Sequence, residues 1–299
     1  MVPQPSVILG GVCMEQGYLE TDYEKLELSN FFIFGKVMEN PELCKEMLER
    51  LTGETIDDIN EISIEKTLKV SSDGKGVRYD VFLDDGYRMY DTEMENRMYK
   101  RKELPKRSRF YQSMLDMKDL ERGCSFTELK DNYVIFICTF DPFDKGQAFY
   151  GFSNQSKDDN HFELGDGRTI IYFNTKGDME NITPDIANFL RYVETGVVQD
   201  DYTRKLKMAV DNVRQNRKDR SEYMFWKQRF LEDMHDAYDN GFNKGFNNGF
   251  NNGFDNGFDN GHKKTIIELY RKEIISIEIA MSELNMTKEE IEKEMSETS

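Results

Sequence analysis

The chain has 299 residues, 38% of them apolar, enough for one domain with its own core plus an extension. Its apolar runs fall short of the roughly 20 residues a membrane-spanning helix needs, and no Lys or Arg precedes Lys25, so neither a membrane protein nor a secretory signal is expected. A net charge of −17 argues on average against nucleic acid, yet residues 97–109 carry seven basic side chains against Glu103 alone, and 204–229 carry nine against Asp211, Asp219 and Glu222; distribution decides phosphate attraction more than the total does.

Residues 1–24, with Pro3 and Pro5 and no sustained period, read as a loose leader. From Glu27 to Thr52 apolar residues recur every three or four positions (Phe31, Phe34, Val37 and Met38, then Leu43, Met47, Leu48 and Leu51). That is helical spacing, interrupted or restarted at Asn40-Pro41, where Asn caps and Pro fits the first turn. Val77–Leu83 and Arg88–Glu95 alternate with period two, and Asp84-Asp85-Gly86 between them signals a hairpin. Helical spacing returns over 104–120 after Pro105. Tyr133–Phe140 is a nearly continuous apolar run suited to a strand covered on both faces. Ile170–Asn174 is a further strand candidate, and Ile186–Thr195 opens a mainly helical second half.

This order predicts an α/β domain over 25–200, a charged helical segment over 201–240, a tandem repeat over 241–262 and a small helical tail over 263–299. In the repeat, Gly recurs every fourth residue from 241 to 261 with Phe following at 242, 246, 250, 254 and 258; Tyr238 and His262 keep the phase. A period of four winds an aromatic stripe slowly around a helix, and six glycines cost roughly 6 kcal/mol of helix propensity. The repeat is therefore a linker or expanded tract, or an oligomerisation helix over 238–262 serving a homo-oligomer; its Asn and Asp spacing supplies no EF-hand loop. In the tail, Thr287 and Glu290 form a capping box between two short helical patterns, readable as a helix-turn-helix or a packing hairpin. Cys13, Cys44, Cys124 and Cys138 show no CxxC spacing, which suits reduced thiols and a cytoplasmic location.

The hairpin gathers carboxylates. A loop of two or four residues sets Asp80 opposite Asp91 and places Asp80, Asp91, Glu93 and Glu95 on one face. Like charges that close either surround a hard cation such as Mg²⁺ or Mn²⁺ or sit on a wet acidic face, and period alone leaves both readings open. Other candidates are weaker. His161, His235 and His262 are far apart, and Gly74-Lys75-Gly76 lacks a P-loop frame. Trp226, amid aromatic and basic neighbours, reads as helix packing, with base stacking the alternative.

Asp80 in GKGVRYDVFLDDG, followed thirteen residues later by Glu93 in YDTEMENR, resembles the split acidic pair of PD-(D/E)XK nucleases. FGKVMENPELCKEML, LPKRSRFYQSMLD, VIFICTFDPFDKG, ITPDIANFLRYVETG and RKDRSEYM resemble, in order, the Rpn-type recombination-promoting nuclease/putative transposase family, up to about residue 240. The resemblance implies a restriction-endonuclease-like α/β core, a mixed central sheet flanked by helices, with a C-terminal helical extension. It also implies a metal-dependent DNA endonuclease tied to recombination or mobile elements, using Mg²⁺ or alternatively Mn²⁺. Asp80 and Glu93 are then the metal ligands, with Glu95 and Gln112 completing the catalytic set and Lys100, Arg101, Lys106, Arg107 and Arg109 holding the DNA backbone. Two positions depart from the pattern: Glu95 stands where the family has Lys or Gln, and Asn30-Phe31 replaces an acid of the first helix unless Glu27 substitutes. The rival reading is a lapsed nuclease fold kept as a DNA-binding or self-associating scaffold.

Overall fold

Two asparagines start the first helices of the computed structural model, which describes residues 22–68, 77–120, 123–158 and 162–297. The Asn30 side chain accepts hydrogen bonds from the amides of Phe32 and Ile33 and opens α1 (Phe31–Met38). Asn40 does the same for α2 (Pro41–Thr52), with Pro41 in the first turn and Gly53 closing the helix at φ 75°. The interruption expected at Asn40-Pro41 is therefore a true boundary. Most of the expected leader, Gly74-Lys75-Gly76 and His161 lie outside the described residues.

Six strands follow: β1 (Glu61–Leu68), β2 (Val77–Asp84), β3 (Arg88–Glu95), β4 (Asp131–Cys138), β5 (Phe149–Phe152) and β6 (Arg168–Asn174). They form one mixed sheet in the order β1-β2-β3-β4-β6-β5. The β1-β2-β3 meander is antiparallel, β3, β4 and β6 run parallel, and β5 closes the edge antiparallel to β6. α3 (Leu104–Asp119) connects β3 to β4. β1 and β5 were not expected. Glu61, Glu65 and Lys66 blur the alternation of β1, and β5 is only four residues long; both are edge strands, where burial imposes little pattern.

Alternation sorts the core into two layers. Val81, Leu83, Tyr90, Met94, Ile135 and Ile137 face α1, α2, α4 (Pro184–Thr195) and α5 (Asp201–Gln215). Phe82, Met89, Val134, Phe136, Cys138 and Tyr172 share the opposite cluster with Leu104, Met114 and Leu115 of α3. Each fully buried side chain of this size contributes about 1.5–3 kcal/mol, so both layers hold the sheet between helices.

The expected boundary near residue 200 falls inside the packed core. Tyr202, Leu206 and Val210 of α5 are fully buried, and the Tyr202 hydroxyl donates to the Leu43 carbonyl at 2.9 Å. The described residues divide into two compact units, up to Trp226 and from Lys227 onward. Several cations of the 204–229 run are spent inside the first unit. Arg214 pairs with Glu27 at 2.6 Å, Lys205 with Glu46 at 2.9 Å and Arg220 with Glu24 at 2.5 Å. Glu27, the candidate substitute for the acid missing from α1, is thus paired with α5.

The division falls within α6 (Arg217–Arg271), which runs unbroken through the repeat. In the second unit Tyr238, Phe242, Phe246 and Phe250 stack in turn at 6.1–6.3 Å between ring centroids and remain exposed. α7 (Ile277–Leu284) and α8 (Lys288–Glu297) complete it, joined by the expected capping box: the Thr287 hydroxyl accepts from the Glu290 amide, and Glu290 accepts from the Thr287 amide. Among the described residues no helix is long and apolar enough to cross a membrane.

Candidate active site

The β2–β3 hairpin turns on acid side chains. Asp84 accepts the Gly86 amide at 2.7 Å, and Asp85 accepts the amides of Tyr87 and Arg88 at 2.9 and 2.6 Å. Gly86 sits at φ 92°, a conformation that suits glycine. These bonds set the register Asp84↔Met89 to Val81↔Thr92. Asp80 therefore comes level with Glu93, not with Asp91 as the shorter loop geometry predicted.

Just past Val81↔Thr92 the ladder stops and two side chains take it over. The Asp80 amide donates to Glu93 Oε1 at 3.0 Å, and the Met94 amide donates to Asp80 Oδ2 at 3.1 Å. The two acids clamp the seam reciprocally. The strand is distorted at this point: Tyr79 and Phe82 lie in the same core layer although three residues apart, and Glu65, the residue of β1 level with Asp80, has φ 50°. Such breaks in a ladder re-aim side chains.

On β3 the odd positions Met89, Asp91, Glu93 and Glu95 face α3, so three acids are buried beneath that helix, with Asp91 fully inaccessible. Neither carboxylate oxygen of Asp91 has a hydrogen-bond partner. Burial, then Glu93 and Asp80, push its carboxyl well above the usual range. Burial, then Asp80, do the same to Glu93, with Arg107 acting in the opposite sense. Burial raises Asp80 to about 6, opposed by the Met94 amide.

Arg107 of α3 is the counter-charge. Its guanidinium pairs with Glu95 Oε2 and, at 3.2 Å, with Glu93 Oε2. It also lies 5.5 Å from the ring centre of Tyr111 and 5.4 Å from that of Phe136. Arg107, expected at the DNA backbone, here turns toward the sheet and pairs with the two acids. Glu95 further accepts the Arg97 amide at 3.1 Å.

A family model described as "PD-(D/E)XK nuclease family transposase" matches residues 31–194, more than half of the chain. The chain belongs to this family. No curated protein and no solved structure matches it.

PD-(D/E)XK nucleases generally use divalent metal ions, so the donor set of this family member is the test of fit. Three buried carboxylates, one with both oxygens orphaned, are the hard oxygen donors such a cation takes. Among the described residues no three acid, imidazole or thiol side chains already converge into a metal-holding group. The reason is visible in the bonding: Glu93 Oε1 is held by the Asp80 amide and Oε2 by Arg107, so an ion competes with that guanidinium. The residues fit in chemistry, and Arg107 stands as the internal rival.

The remaining expected residues divide. Gln112 lies buried on α3, but its side-chain amide donates to the Thr169 carbonyl at 3.3 Å, binding the helix to β6. Lys106 and Arg109 are exposed on α3, Lys100 is half-buried in the short helix before it, and Arg101 pairs with Asp144. Period-two alternation had already put Asp91 on the acid face. The Arg107 pairing reaches from a helix across a sheet, and no local period encodes that.

Proposed function

We propose that the protein is a metal-dependent endonuclease that hydrolyses phosphodiester bonds of DNA in a recombination or mobile-element setting, with Mg²⁺, or Mn²⁺, held by Asp80 and Glu93. The observation that carries this reading is the clamp at the β2–β3 seam, where the two acids meet with Asp91 and its orphaned oxygens alongside. A divalent cation bound there supplies Lewis acidity toward the phosphodiester and lowers the pKa of water. The chain's own residues do the rest. The seam fixes Asp80 and Glu93 against the backbone, so their carboxylates lose little further freedom on binding. Arg107 offsets Glu93 and Glu95 and keeps the buried charge from repelling phosphate outright. Lys106 and Arg109, exposed on the same helix, offer contacts to the DNA backbone, with Lys100 and Arg101 next to them in sequence.

The test is plasmid DNA incubated with purified protein and Mg²⁺ or Mn²⁺. Wild type nicks or cuts it, and Asp80→Asn and Glu93→Gln, which preserve the acceptors of the seam, abolish cutting. Cleavage unchanged in Asp80→Asn removes this site. The second reading, a lapsed nuclease fold that binds DNA, draws on the occupation of Glu93 and Glu95 by Arg107. Under it DNA binding is salt-sensitive and no divalent ion produces cutting.

A further inference from the structure

Asp80 belongs to two environments. It bonds across the seam to β3, and it also forms part of the wall of a cleft of about 260 Å³ between α1 and the β1–β2 edge, lined further by Phe31, Gly35, Lys36, Ile64 and Trp226. The rings of Phe31 and Trp226 lie 4.5 Å apart, inclined at 57°. Gly35 keeps α1 close to the sheet at this point: a Cβ there would come within 2.8 Å of Ile64.

Size, walls and charge narrow the occupant. The volume is just below the roughly 300–1,000 Å³ of sites for drug-sized ligands, which suits a single ring system. Aromatic walls favour a flat π face, and such stacking is tolerant of sequence. Lys36, the cation of the lining, is already engaged by Glu222 at 2.8 Å, Glu39 at 3.1 Å and Asp219 at 3.7 Å. The acids around it disfavour a phosphate inside the cleft and accept hydrogens from ring amino groups.

We propose that this cleft takes one unpaired nucleobase of a DNA strand whose adjacent phosphate lies at Asp80. The inference rests on the nuclease reading and deepens it, naming DNA with an unpaired or extruded nucleotide as the preferred substrate. A base inside a duplex cannot reach such a recess without leaving its stack, which is easiest at mismatches, bulges and single-stranded ends.

Trp226 is the only tryptophan of the chain, so its fluorescence reports on the cleft directly. The full-length protein, with Ca²⁺ in place of Mg²⁺, is titrated with a single-stranded DNA oligonucleotide and with an abasic deoxyribose-phosphate oligomer of equal length. Saturable quenching by the first and none by the second is expected, with affinity roughly tenfold lower in Phe31→Leu and retained in Phe31→Tyr. Equal quenching by both oligomers, or equal affinity in Phe31→Leu and wild type, overturns the assignment. Plasmid cutting with Mg²⁺, measured in parallel, separates the two ideas. Cutting without base-dependent quenching removes the cleft and leaves the nuclease, whereas base-dependent quenching without cutting does the reverse.

Discussion

At the scale of single residues, Arg107 and the acids it touches set the behaviour of the site. Removing one partner of a buried ion pair leaves the other uncompensated, at a cost of about 3 kcal/mol or more. Arg107→Gln should therefore lower the thermal stability of metal-free protein, and Mg²⁺ should restore more stability to the variant than to wild type, because the ion meets no rival at Glu93. Equal stabilisation of both by Mg²⁺, followed by calorimetry, would exclude the competition. A second residue-scale consequence concerns pH. Asp80 is raised to about 6 from an ordinary value near 3.8, and Glu93 and Asp91 are raised as well, so the folded state binds their protons more tightly than the unfolded chain does. That contribution is complete below the unfolded values and disappears as pH rises through the folded ones. In EDTA the melting temperature should climb as pH falls from 7.5 toward 5.5, and Asp80→Asn should flatten the climb. An identical slope in the variant would show that Asp80 does not titrate there.

Elements show where local pattern suffices and where it does not. The limits of β2 and β3 were legible because Asp84-Asp85-Gly86 carries turn chemistry and the flanking residues alternate. The register was not, because Asp84 and Asp85 both fold back onto turn amides and widen the loop. The shift is two residues, an even number, which keeps Asp91, Glu93 and Glu95 on their expected common face. The repeat contrasts with this. Glycine weakens an isolated helix, yet α6 continues through it. A Cβ at Gly249 would meet no atom within 4 Å, so in a lone helix Gly249→Ala should raise stability by about 1 kcal/mol, read by circular dichroism melting. If the glycines instead seat a second copy of the chain, the same change lowers the melting point and the apparent mass in sedimentation.

For the whole molecule, the α/β architecture followed from the order of periodic segments, since buried parallel strands such as β4 and turn-bounded hairpins leave strong marks. The extent of the first unit did not, because α5 carries the charge of a solvated helix while burying Tyr202, Leu206 and Val210 along one stripe. The acid face was legible from alternation. Its counter-ion and its adjoining recess required the third dimension, as the first joins α3 to β3 and the second joins α1, β1, β2 and the start of α6.

The seam also bears on how history would write itself into such a chain. A lineage that had retired from cutting would still need Asp80 and Glu93, since they stitch two strands together where the backbone no longer does. Their presence alone therefore testifies to architecture before it testifies to turnover. Asp91 stitches no strands, for it accepts no backbone amide and its neighbour is the acid Glu93. It is the acid that drift would erase first, so a loss of cutting in Asp91→Asn with the fold intact would be the more telling sign of a working nuclease.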